Sequence, residues 1–199
     1  MISEKNKFIF IHIPGTAGTS IEYAISEVAD GKLLQGGAGV WYHPKYSNSV
    51  KELKRINPDS SNLLAANMKH ATANQWKHIL GDSYDEYYVF TVVRNPINKA
   101  QSLYKFNGVN PVTNINPNTD WLYKQKHYVC DEQGNKIVDD IFHYESLQED
   151  WKQICMNINV SKKLPHKNKR SMNEISFNKT QVDRLTEYLK EDIKYFNYE

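Results

Sequence analysis

The stretch HIPGTAGTS, residues 12–20, follows the apolar run KFIFIH and combines two glycines with three hydroxyl side chains. A glycine-bearing turn between a strand and a helix gathers backbone N–H groups into one concavity, and the helix start adds about half a positive charge. Gly15 and Gly18 permit close backbone approach, while Thr16, Thr19 and Ser20 supply hydroxyl donors. That combination suits a phosphate. An ordinary turn with Thr19 or Ser20 as N-cap has the same composition, so the loop alone leaves both readings open. No lysine or arginine stands between Pro14 and Ser20. Thr19 occupies the lysine position of GxxxxGK[ST] and Ile13 its first glycine, so the nucleotide-triphosphatase pattern is absent.

Arg94 is the second feature, at the end of the apolar run EYYVFTVV. A guanidinium at the carboxyl end of a buried strand stands where ligands of open α/β sheets collect, and it holds an anion in a bidentate contact. It also fits a buried structural ion pair. Ser102, two helical turns on, adds a hydroxyl. Because this strand ends in arginine and not in a magnesium-binding aspartate, ATP with Mg²⁺ is disfavoured. His70, in MKHAT, is a candidate general base whose ordinary pKa of about 6.5 suits neutral pH; the alternative is that it caps the following helix. The basic run KKLPHKNKR, containing Lys167, Asn168, Lys169 and Arg170, reads as an anion-binding segment or a solvated loop.

These residues need elements to hold them. Residues 7–12 read as a buried strand, and Ile21, Ala24, Ile25 and Val28 fall at helical spacing after the loop. A second strand is expected over 62–67 and a helix over TANQWKHIL, 72–80. The strand 86–93 leads through Asn95-Pro96 into a helix carrying Ile97, Ala100, Leu103 and Tyr104. Residues 106–120, rich in Asn and Pro, read as an exposed loop. HYVCDEQGNKIVDD reads as a hairpin turning near Gly134, and IFHYESL as a strand before a helix over 148–158. A last helix over 179–196 places Val182, Leu185, Leu189, Ile193 and Phe196 on one apolar stripe, the pattern of core packing. Strands alternating with helices predict an α/β fold around a mostly parallel sheet.

At 199 residues the chain fits one domain, 1–199, able to bury roughly 70% of its unfolded surface. Twenty-five Lys and Arg against 23 Asp and Glu leave a formal charge of +2, so an anionic partner must meet a local patch, and bulk nucleic-acid binding is not expected. Cys130 and Cys155 lack CxxC spacing, and no segment reads as a leader or a membrane span; a reduced, cytoplasmic setting is the expectation. The histidines and cysteines show no zinc spacing.

Taken in order, HIPGTAGTS, VVRNPINKAQSLY, HYESL and LPHKNKR resemble the sulfotransferases that use 3'-phosphoadenosine 5'-phosphosulfate (PAPS), in the branch containing carbohydrate sulfotransferases. The resemblance runs from about residue 8 to the C-terminal helix. It implies a P-loop-containing, nucleotide-hydrolase-like three-layer fold. The loop 15–20, with Gly15, Thr16, Ala17, Gly18, Thr19 and Ser20, would wrap the 5'-phosphosulfate. Arg94 and Ser102 would take the 3'-phosphate, with Asn168, Lys169 and Arg170 beside them. His70 matches the place of a catalytic base in related carbohydrate sulfotransferases. The implied reaction moves a sulfuryl group from PAPS to a hydroxyl acceptor, a glycan or small molecule, without a metal.

Three positions depart from the family pattern HxPKTGGTS and RNPxxRxxSxY. Ala17 replaces a glycine, Lys99 replaces an arginine while keeping its charge, and Gly15 replaces the lysine. Loss of a group that stabilises the leaving phosphate commonly costs ~10²–10³ in rate. The expectation is a cradle that keeps its ligand and turns over slowly, unless Lys69 or the basic run substitutes. A silent PAPS-binding homologue is the alternative, and a P-loop kinase a more distant one. Acceptor specificity falls to loops 31–48 and 106–126, where Trp41, Tyr42, Trp121 and Tyr123 stack on sugars or pack.

Overall fold

Four consecutive apolar residues, Phe8–Ile11, and the run Tyr88–Val93, apolar but for Thr91, are buried along nearly their whole length, the signature of strands covered on both faces. In the computed structural model, which describes residues 1–30, 32–34, 40–42, 44–46, 69–108, 110–113, 120–165 and 176–198, they form the centre of a sheet. The order is β1 (Ile2–Ser3), β2 (Phe8–Ile11), β5 (Tyr88–Val93) and β6 (Asp140–His143). Strands β2, β5 and β6 run parallel, pairing Ile11 with Thr91 and Val93 with His143. The short β1 lies antiparallel on β2, an edge that the sequence reading omitted. A separate antiparallel pair joins β3 (Lys32–Leu34) to β4 (Val40–Tyr42).

The helices follow from local signals. Helix α1 (Gly18–Ile25) buries Ile21, Ala24 and Ile25; Val28 lies beyond its end in a turn. Helix α2 (Ala73–Leu80) starts at a capping box: the Thr72 hydroxyl accepts from Gln75 N, and the Gln75 side chain from Thr72 N. Helix α3 (Pro96–Asn107) has proline in its first turn and Asn95 as N-cap, accepting from Ile97 N and Asn98 N. Short helices α4 (Asp120–Tyr123) and α5 (Lys126–Val129) precede β6, and α6 (Leu147–Asn157) follows it. The expected strand over 62–67 lies outside the described residues.

Two expectations need correction. The first arm of the expected hairpin is helix α5, leaving one bridge, Cys130 to Lys136, around the turn at Gly134. The expected last helix is two, α7 (Lys179–Tyr188) and α8 (Lys190–Tyr195), meeting at a buried Leu189. The break brings Asp192, 2% exposed, into the interior beside the apolar stripe, where its carboxylate accepts from the amides of Gln125 and Lys126. Ala100, Leu103, Tyr123, Leu185 and Leu189 form a core cluster of their own beneath α3. Among the described residues no helix is long and apolar enough to cross a membrane.

Candidate functional site

Parallel strands deliver their carboxyl ends to one rim, and three loops meet there: 12–17 after β2, 94–95 after β5 and 144–146 after β6. Gly15 has φ +83°, in the left-handed region, and a Cβ built on it would lie 3.3 Å from Leu103 Cγ and 3.4 Å from Lys99 Cγ on α3. The residue 15 side-chain direction therefore points at α3. Ala17 is also left-handed, at φ 67°, and is the N-cap of α1. Alanine has no side-chain acceptor, so that helix start has no side-chain cap. Thr19 and Ser20, expected as possible caps, lie inside the first turn.

Thr16 is fully buried and its hydroxyl donates to Ile13 O at 2.9 Å, stitching the loop together. Gly18 has a reason of its own. A Cβ there would lie 2.0 Å from His12 Cδ2, so the ring of His12 occupies the space that any other residue would need.

That ring belongs to a buried network. His12 Nδ1 donates to Glu22 Oε1 at 2.8 Å, and Lys69 Nζ stands 3.3 Å from Glu22 Oε2. Burial alone would push the Glu22 carboxyl up, but His12 and Lys69 hold it down at about 2. Burial pushes His12 down, so it serves as a neutral donor to a charged Glu22. Lys69, 7% exposed, is thus engaged with Glu22, which weakens its case as a cation for the loop. Lys99 is fully buried: its Nζ donates to Tyr123 O at 3.0 Å and to Leu122 O, and burial lowers its pKa to about 7. Its charge is spent inside the fold.

His70 packs edge-on against His12, with ring centroids 4.6 Å apart, and Nδ1 donates to His12 O at 3.0 Å. That bond places the proton on Nδ1 and the lone pair on Nε2. Thr72, not His70, caps α2. Burial, helped by the neighbouring His12, lowers the His70 pKa to about 3, well below the ordinary imidazole value expected from sequence.

Arg94 joins the rim. Its Nη1 donates to Gly15 O at 3.3 Å, its Cζ lies 4.1 Å from the Tyr144 ring centroid, and its buried Nε has no hydrogen-bond partner among the described residues. The backbone turn is held from β6 as well, by Asn95 N donating to Glu145 Oε1 at 2.9 Å. Ser102 is half-buried on the second turn of α3. Asn168, Lys169 and Arg170, with residues 166–167 of the basic run, lie outside the described residues, as does half of the stretch 31–48; Tyr123 is buried packing.

The fold thus brings together the loop 15–20 and Arg94, and sets His70 against His12 at the end of β2. The sequence reading passed over Tyr144, Gln125 and Asp192. Tyr144 was within reach, since it sits in HYESL immediately after a strand; nothing local marked the other two. A cavity of about 450 Å³ lies elsewhere, lined by Lys124, His127, Cys130, Tyr188 and Asp192 among others and by no residue of the loop. Among the described residues no group of His, Cys, Asp and Glu could hold a metal ion. Comparison with protein-family models, curated proteins and solved structures finds no match to this chain.

Proposed function

We propose that the chain is a PAPS-dependent sulfotransferase with a P-loop-like three-layer fold, moving a sulfuryl group to a hydroxyl acceptor, a carbohydrate or a small molecule. The observation that carries the reading is the contact between Arg94 and the Gly15 carbonyl, which sets a guanidinium, its buried Nε–H without a partner among the described residues, beside a helix start without a side-chain cap. Both are anion donors, and a donor with two anionic ends needs two such groups.

In this reading the first-turn amides of α1 and the Thr19 and Ser20 hydroxyls hold the 5'-phosphosulfate, and Arg94 with Ser102 holds the 3'-phosphate. His70 Nε2 takes the acceptor's proton as the new O–S bond forms; the S–O bond to the 5'-phosphate breaks, and that phosphate leaves with the electron pair. His70 is neutral across neutral pH, so its base form is always ready. A pKa near 3 makes it a weak base, and an anionic sulfuryl group arriving beside it raises that value. Gly15 leaves the leaving phosphate without the family's lysine.

Release of 3'-phosphoadenosine 5'-phosphate (PAP) from PAPS, with sulfate appearing on a sugar acceptor, tests the reading; PAP bound without turnover on any acceptor leaves the silent homologue. That second reading draws on Gly15, whose side-chain direction would aim a lysine at α3. The kinase reading predicts stabilisation by ATP with Mg²⁺ instead of PAP.

A further inference from the structure

Arg94 lies at a strand end, where backbone N–H and C=O run out of sheet partners. Both of its main-chain groups are nevertheless satisfied by one side chain. Arg94 N donates to Gln125 Oε1 at 2.9 Å, and Gln125 Nε2 donates to Arg94 O at 2.8 Å, so the amide mimics one more residue of a neighbouring strand. Gln125 is fully buried and cannot exchange this pairing for water. Its own backbone N donates to Asp192, whose other carboxylate oxygen accepts from Lys126 N at 3.0 Å. Just before it, Lys99 holds the carbonyls of Leu122 and Tyr123. The chain of contacts runs from α8 through Gln125 to the backbone of Arg94. The guanidinium then extends between the Tyr144 ring and the Gly15 carbonyl.

We infer that Gln125 is a positioning residue for Arg94: it fixes the arginine's main chain so that the guanidinium reaches the loop and its anion. The inference deepens the sulfotransferase reading and rests on it for the identity of the anion. An amide is required because the pairing needs one donor and one acceptor in a single planar group. Glutamate matches the shape and keeps the acceptor, but it has no hydrogen for Arg94 O.

The test is a double-mutant cycle on the full chain, with PAP affinity measured by calorimetry for wild type, Gln125→Ala, Arg94→Ala and the double variant. Gln125→Glu is added because it keeps the side-chain volume if the alanine variant folds poorly. Gln125→Ala and Gln125→Glu each weaken PAP binding about tenfold in the wild-type background and less than about twofold in the Arg94→Ala background. Equal losses in both backgrounds, or no loss in either, overturn the inference. Independently of any ligand, both Gln125 variants speed hydrogen exchange at the Arg94 amide and shift its Nε–H resonance; unchanged exchange and shift also overturn it. If wild type fails to bind PAP while Arg94 responds to the Gln125 variants, the sulfotransferase reading falls and the positioning role stands.

Discussion

Gly15 adopts a backbone conformation that resists a side chain. Its φ of +83° lies in the region that costs an L-residue roughly 1–2 kcal/mol, and its Cβ direction meets Leu103 and Lys99. Introducing the lysine of the sulfotransferase pattern by Gly15→Lys is therefore expected to lower stability by about 1–2 kcal/mol in urea titrations and to give no gain in turnover. A large rate gain would show that the side chain reaches the leaving phosphate after all. At His70, replacement by alanine is expected to reduce turnover by ~10²–10⁴ while PAP affinity holds. Because burial keeps the imidazole neutral down to about pH 3, the profile of kcat/KM in the free enzyme shows no limb near 6.5 from this residue. A limb at 6.5 that disappears in His70→Ala would mean a solvated imidazole.

At the scale of elements, the turn from β2 to α1 is held by His12 as much as by its glycines. Gly18→Ala forces a Cβ to within 2.0 Å of the His12 ring, and the rigid ring has Glu22 on its far side; a loss of about 3 kcal/mol or more is expected in denaturant unfolding. Removing the cap of α2 by Thr72→Ala is milder, about 1 kcal/mol, because one hydrogen bond of the capping box goes. Elements written in local sequence were legible: KFIFIH, YYVFTVV, the Asn95-Pro96 helix start and the helix over TANQWKHIL all declare themselves within a few residues. The α7–α8 break was not, because the apolar stripe runs unbroken through Leu189 and the partners of Asp192 just beyond it, the Gln125 and Lys126 amides, are remote in sequence. The helix over Lys126–Val129 was misread as strand, since four residues are too few to show a period. Within the site, the loop and Arg94 could be named from sequence, whereas Gln125 acts across 31 residues and carries no local mark.

For the molecule as a whole, the buried charges set how stability depends on pH. His70 takes a proton near 6.5 when unfolded but only near 3 in the fold, so stability falls as pH drops through that interval. Glu22, ionised in the fold down to about 2 against 4.5 when unfolded, adds a second loss between those values. Each group contributes a slope of up to about 1.4 kcal/mol per pH unit within its window. Unfolding free energies measured from pH 7 to 3 should decline, with the slope above pH 4.5 reduced in His70→Ala and the rest carried by His12 and His127, which burial also pushes down; an unchanged slope in His70→Ala would mean that His70 is solvated.

In the proposed reading the loop 15–20 and Arg94 form one cradle for a nucleotide with two separated anionic groups. Thermal unfolding of the full chain with PAP, adenosine 5'-phosphate, or ATP with Mg²⁺ tests it most directly. At a hundred times its dissociation constant a ligand adds about 2.7 kcal/mol, or roughly 5–10 °C in a chain of this size. A shift of that order is expected with PAP, a smaller one with adenosine 5'-phosphate at equal concentration, and loss of the difference in Arg94→Ala. No shift with PAP, or an equal shift with all three nucleotides, contradicts it.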